Sequence, residues 1–148
     1  MTIVLSVCDD CRRSVQDPMF IVLEGLAKKQ DPPCRTCGAA RQSYLFFDSG
    51  PYAGKVSIVL AAFLPRAPRT WKDSKGRAVT QCSFLVITAR GDDDRSVWMP
   101  YWLVTTWGQR RAISPGRLES HIDLASYADL VEQATASGLL KPQHSPLD

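Results

Sequence analysis

Two identical spacings, Cys8-x2-Cys11 and Cys34-x2-Cys37, constrain this chain more than any other feature in it. A C-x2-C loop lets two thiolates grip one ion while the amides between them turn inward, and two such loops supply the four sulfurs that a tetrahedral zinc accepts. Gly38 directly follows the second pair, where glycine turns the chain sharply without steric cost. The first pair is followed by Arg12 and Arg13, so its turn departs from that pattern, while the two cations offset part of the charge of a four-thiolate site. The predicted cofactor is one zinc ion held by Cys8, Cys11, Cys34 and Cys37. Two disulfides would use the same residues, but nothing in the sequence indicates the oxidising compartment they require.

The arrangement resembles the zinc-ribbon families, in which two knuckles at the tips of short hairpins clamp one structural zinc. The resemblance covers roughly residues 3 to 47 and implies a closed site with no position open for a catalytic water. It does not choose a function, because zinc ribbons serve transcription, translation, replication and scaffolding alike. Rubredoxin-like iron centres also use two C-x2-C loops, usually with a glycine after each pair, and Arg12 stands where the first of those would be.

With 148 residues the chain has room for one average domain or two small ones. Its 45% hydrophobic and 22% charged residues exclude wholesale disorder, collagen and a simple coiled coil. The apolar run Met19 to Leu23 predicts a strand ended by Gly25, and Tyr44 to Phe47 predicts another leaving the second knuckle. The turn-dense Asp48-Ser49-Gly50-Pro51 predicts a boundary, with a zinc-ribbon module over 1–50 and an antiparallel sheet plus a C-terminal helix over 51–148. The fold class is therefore α+β. In the second part, strands are predicted from Lys55 to Leu64, from Ala78 to Ala89, and from Val97 to Trp107 with an edge or bulge at Pro100. A hairpin loop is placed at Gly91 to Asp94. A helix is predicted to start near Ser126, with Ser126-x-x-Asp129 as its cap, and to stop at Gly138; Tyr127, Leu130, Val131 and Ala134 form its core stripe.

The order of features over residues 55–108 resembles the first three strands of bacterial single-stranded-DNA-binding proteins of the OB-fold class. The matching pieces are Lys55-Val56, Pro65-Arg66, Pro68-Arg69-Thr70, the turn and strand Ser74 to Val79, Phe84, and Val104 to Gly108. No obvious strand follows Trp107, and Lys75 is inserted in the turn. The resemblance implies an OB-like sheet that binds single-stranded nucleic acid.

The residues themselves support a similar expectation. Residues 51–91 carry seven basic groups against Asp73 alone, whereas the chain from Glu119 onward carries five acidic residues and only Lys141. Single strands are held by cations that track phosphates and by aromatic rings that stack on bases. Arg66, Arg69, Lys72, Lys75 and Arg77 surround Trp71 in what reads as a proline-stiffened loop. Trp98, Tyr101, Trp102 and Trp107 crowd one strand, and Arg110 and Arg111 follow it. The predicted contact residues are Arg66, Arg69, Trp71, Lys72, Lys75, Arg77, Arg110 and Arg111, while the strand aromatics are read mainly as core.

Catalysis is not predicted. The common phosphate-loop, dinucleotide, metalloprotease and nucleophile-elbow motifs are all absent. His121 and His144 read as surface residues, Cys82 as a packed thiol, and Asp92 to Asp94 as a solubilising turn. The expected protein is thus a zinc-containing accessory protein that binds nucleic acid, single-stranded in preference to duplex. The alternative is a non-catalytic subunit docking on an acidic protein partner. No apolar run approaches the length needed to cross a membrane, and Met1 to Val7 lacks a basic start and a cleavage site, so the expected location is the cytoplasm.

Overall fold

The computed structural model describes residues 3–30, 32–40, 42–47, 56–90, 94–116 and 121–140. Two compact units emerge, and each is discontinuous in sequence: Met1–Ala62 with Val86–Val97, and Phe63–Leu85 with Trp98–Asp148.

The first unit is built on a six-stranded sheet. Its strands are β1 (Ile3–Cys8), β2 (Ser14–Asp17), β3 (Gln42–Phe47), β4 (Val56–Phe63), β7 (Leu85–Arg90) and β8 (Asp94–Trp98), in the spatial order β2-β1-β3-β4-β7-β8. The pairs β1–β2, β1–β3 and β3–β4 are antiparallel. Alternation explains the core: Val4, Ser6 and Cys8 of β1 are buried, and their register partners Phe46 and Tyr44 are buried on the same face. Helix α1 (Met19–Lys28) contributes Phe20, Val22 and Leu23 to this core. Full burial of an aliphatic side chain such as Leu23 is worth about 1.5–3 kcal/mol.

Helix α1 replaces the strand expected over Met19 to Leu23. The apolar residues continue past Gly25 to Leu26 and Ala27, so 19, 22, 23 and 26 make a helical stripe that a five-residue window cannot reveal. Pro18 supplies an extended entry, with φ −61° and ψ 131°, and Lys29 ends the helix in the left-handed region at φ 54°. Gly25 is tolerated inside the helix, and its carbonyl accepts the Gln30 N–H at 2.9 Å in the closing turn.

The 1–50/51–148 boundary expected from sequence also differs from the observed division. Its turn, 48–51, lies outside the described residues, yet the sheet continues across it, with Leu45 opposite Ile58. A turn-rich segment connects two strands of one sheet as readily as two domains, because β3 needs a hydrogen-bonding neighbour on that side.

The second unit holds a four-stranded sheet in the order β10-β9-β6-β5, made of β5 (Thr70–Lys72), β6 (Ala78–Ser83), β9 (Tyr101–Trp107) and β10 (Arg110–Pro115). All three pairings are antiparallel. The two long strands expected from sequence are each divided. Residues 78–89 break at Phe84, and residues 97–107 break at Met99-Pro100, so that β6 and β9 stay in this sheet while β7 and β8 join the other. Proline cannot donate to a ladder, but its carbonyl can accept, and the Phe84 N–H donates to the Pro100 oxygen at 2.9 Å where both strands break. The Phe84 ring meets Trp102 edge-on at 5.5 Å between centroids.

Strand β10 occupies residues after Trp107, where the sequence showed no obvious strand. Gly108, at φ 59°, opens a two-residue turn with Gln109, and glycine at the first central position is what a tight hairpin turn of this hand demands. Segment 55–108 therefore divides its strands between two sheets. A closed OB barrel is not shown for it, and the observed class is α+β with mostly antiparallel sheets.

Helix α2 (Leu124–Ala136) starts two residues before the expected point. Its N-cap is Asp123, whose carboxylate accepts the Ser126 N–H at 3.0 Å, so Ser126 is the partner at the third position of the first turn and not the cap. The buried stripe is Ser126, Leu130 and Ala134, while Tyr127, expected in the core, is 46% exposed. Gly138, at φ 77°, ends the helix as expected. Among the described residues no helix is long and apolar enough to cross a membrane. Of the predicted Gly91 to Asp94 loop, residues 91–93 lie outside the described residues and Asp94 already belongs to β8, and the tail from Lys141, including His144, also lies outside them.

Candidate functional site

The candidate metal centre is assembled by two loops with the same hydrogen-bond plan. In the first, the Arg12 N–H donates to the Cys8 carbonyl at 3.0 Å, and the Cys8 N–H donates to the Arg13 carbonyl at 3.0 Å. In the second, the Gly38 N–H donates to the Cys34 carbonyl at 2.8 Å, and the Cys34 N–H donates to the Ala39 carbonyl at 2.9 Å. Each loop also turns a backbone amide toward sulfur at 3.4 Å, Cys11 N–H to Cys8 Sγ and Thr36 N–H to Cys34 Sγ. Gly38 and Arg12 take the same left-handed place, at φ 76° and 62°. The missing glycine therefore does not change the turn; Arg12 adopts the glycine conformation at a cost of about 1–2 kcal/mol.

The four sulfurs lie within 4.8 Å of one another. Cys8 and Cys37 approach to 3.5 Å, and Cys11 and Cys34 to 3.8 Å. A tetrahedral ion with Zn–S bonds of about 2.3 Å places its sulfurs roughly 3.8 Å apart, so the cluster has the dimensions to hold one metal ion. The same distances are far longer than a disulfide bond of about 2.05 Å.

The electrostatics agree with a cation-dependent cluster. The Cys34 thiol is drawn down to about 6, chiefly by the Cys37 amide and then by that of Thr36. For Cys37 the Ala39 amide pulls the same way, yet the neighbouring sulfurs, Cys8 foremost, and burial drive it up to about 12. Four thiolates cannot share this volume without a positive charge among them. Ligation of an ion here would therefore release protons, and its binding energy would become folding energy for the loops. Cys8 and Cys34 are buried, whereas Cys37 is exposed.

The second group of candidate residues gathers on one face of the four-stranded sheet. Trp71 is not in a loop; it lies on β5 opposite Val79, which in turn lies opposite Thr105 of β9. Trp107, two residues along β9, therefore points to the same face as Trp71. Each indole is 37% exposed. The Arg69 guanidinium stands 5.5 Å from the centre of the Trp71 ring, and that of Arg77 stands 5.4 Å from the Trp107 ring. Exposed Arg110 lies opposite Trp107 on β10, so it also belongs to this face.

Asp73 organises the turn between β5 and β6. Its carboxylate accepts the Arg77 and Lys75 amides, each at 2.9 Å, and the Arg77 Nε at 2.7 Å. These bonds, the Arg77 amide first, hold Asp73 below the usual carboxylate range. Lys75 extends from this turn and is exposed.

The remaining candidates are placed elsewhere. Arg66 is engaged within the fold: its backbone N–H donates to Asp129 Oδ2 at 2.6 Å, and its guanidinium pairs with Asp129 Oδ1. Gln133 of the same helix donates to the Leu64 carbonyl at 2.8 Å, so α2 clasps the segment following β4. Asp129 thus faces Arg66 and takes no part in the helix cap expected from sequence. Lys72 and Arg111 alternate onto the opposite face from Trp71 and Trp107. Trp107 is the residue that sequence reasoning assigned to the core. The signal that reveals it is the Trp-Gly-Gln-Arg turn, which fixes Trp107 beside Arg110 at the end of a hairpin. Cys82 is half-buried on β6, opposite Trp102, and His121 is exposed, its carbonyl accepting from Gln81 Nε2 at 2.8 Å.

Compared with models of known families, with curated proteins and with solved structures, the chain matches none of them.

Proposed function

We propose that the protein is a zinc-containing, non-catalytic accessory protein that binds nucleic acid, with the ion holding the first unit together and the sheet face of the second making the contact. The observation that carries this reading is the pair of half-exposed tryptophans on one face, each backed by a guanidinium, with Arg110 beside Trp107. Nucleic-acid surfaces need rings for bases and cations for phosphates, and this face presents both in fixed positions. Zinc is favoured as the ion because four thiolates in a tetrahedral frame suit it, and a closed four-sulfur shell supplies no open position for reaction.

Polynucleotide titrations across salt concentrations test the reading. Affinity should fall linearly with log salt, with a slope set by the number of phosphates neutralised. Absence of polynucleotide binding even at low salt would reject it, and the same face would then be assigned to an acidic protein partner. Elemental analysis should find one zinc per chain; one iron would overturn the choice of metal while leaving the cluster in place.

A further inference from the structure

We infer that the ligand of this face is a single strand whose bases are unstacked, and that it seats two non-adjacent bases, one on Trp71 and one on Trp107. The inference rests on the nucleic-acid reading and adds to it the state of the strand and the number and spacing of the bases.

The sheet register sets the spacing. From Trp71 the pairing runs across Val79 to Thr105, and Trp107 lies two residues farther along β9. Two inter-strand steps of about 4.8 Å and two residues of about 3.3 Å separate the two Cα atoms by roughly 12 Å. Stacked nucleotides rise about 3.4 Å each, so neighbouring bases of a stacked strand cannot reach both rings. One extended sugar-phosphate unit also falls short of that span. A strand touching both rings must be drawn out and must carry at least one nucleotide between the two seated bases. A duplex is excluded from this mode because its bases are paired and face inward.

The rings are prepared for this use. A guanidinium on one side of each indole occupies that side by cation–π attraction and holds the ring in position. Each tryptophan keeps 37% of its surface exposed, which leaves area for a base to meet, and a ring already fixed loses less entropy when it binds. Charge is divided in the same way. Arg77 is neutralised by Asp73 at 2.7 Å and serves the Trp107 ring. Exposed Arg110, across the strand from Trp107, and Lys75, on the turn beside it, are the cations placed to meet phosphates.

The test is a length series of oligothymidylates, from two to eight nucleotides, bound to the metal-loaded full chain, with a duplex of eight base pairs alongside. Affinity should rise steeply once the oligomer is long enough to span both rings, and the duplex should bind at least tenfold more weakly than the single strand of equal length. Trp71→Ala and Trp107→Ala should each weaken the eight-nucleotide ligand roughly 5- to 150-fold at unchanged salt slope, the equivalent of one lost stack. Each should also abolish the steep rise with length. Trp107→Phe, which keeps a ring, should retain most of the affinity and shows that the fold survives substitution there. Equal binding of duplex and single strand, or Trp variants that bind like the parent, would overturn the two-base inference while leaving nucleic-acid binding standing. Failure of the parent to bind any of these ligands at low salt would instead remove the reading on which it rests.

Discussion

The two units are stabilised by different chemistry. Among the described residues, the first unit contains the cysteine cluster that could hold a metal ion, in which Cys8 approaches Cys37 and Cys11 approaches Cys34, so that the loop after β1 meets the loop before β3. The second relies on a small sheet, the Leu130 and Ala134 stripe of α2, and surface bonds such as those of Arg66 and Asp73. If the cluster is loaded with an ion, stability in the first unit depends on it, whereas in the second it depends on side-chain packing and acid-sensitive hydrogen bonds. Small domains commonly need such a staple, and here one unit has it.

The largest effect should come from removing the ion. Cys34→Ser, or chelation of the parent, should abolish zinc stoichiometry and cost the first unit on the order of 10 kcal/mol, which unfolds it. Hydrogen exchange read by mass spectrometry should show β1, β2 and β3 losing protection while β6, β9 and β10 keep theirs. Equal loss in both sheets would dissolve the contrast between the units.

A subtler experiment compares the two loops within the first unit. Arg12 and Gly38 hold the same left-handed turn, but only Gly38 does so without a steric penalty. Arg12→Gly should raise stability by about 0.5–1 kcal/mol in metal-loaded protein, measured by denaturant titration. Gly38→Ala should lower it by about 1–2 kcal/mol through backbone conformation alone, because a Cβ at Gly38 meets no atom within 4 Å. Two substitutions with the same sign would show that the loops are not equivalent.

The smallest effect concerns the second unit and pH. Asp123 is held below the usual carboxylate range by the Ser126 amide and hydroxyl, and Asp73 by the Arg77 amide first and then its guanidinium. A depressed carboxylate contributes stability that is present above its unfolded value, about 3.9, and is lost as pH falls through the lower folded value. Acid titration should therefore weaken the second unit in that window. Asp123→Asn, which still caps a helix, should reduce the acid sensitivity while leaving neutral-pH stability nearly unchanged. An unaltered acid profile would remove Asp123 from the account.

These contrasts also explain what was legible in the sequence. The cysteine cluster was, because ligand spacing is local and few chemistries use it. Helix α1 was not, because Met19 to Leu23 fits a strand or a helix equally and only Leu26 and Ala27 decide. Nor was the exchange of strands between sheets: the run from Ala78 to Ala89 holds no glycine or proline to mark a break, and only Pro100 hints that its partner breaks. Arg66 illustrates the limit for charge. A basic run gives a net sign but not a partner, and Asp129 lies 63 residues away in the chain. Trp71 and Trp107 were each visible as aromatic residues, but their common face follows from a register that only pairing can supply.

The interleaving of the units has a consequence for the order of events during synthesis. The second loop of the metal centre is complete at Ala39, whereas β8, the outermost strand of the same sheet, ends at Trp98. About sixty residues lie between, which at about 5–20 residues per second means several seconds of translation. In that interval β4 has no β7 beside it, and β5 and β6 of the other unit emerge before the first sheet is finished. An ion captured early would be the first fixed point of the nascent chain, and it would hold β1 and β3 in register while the open edge waits for its partner.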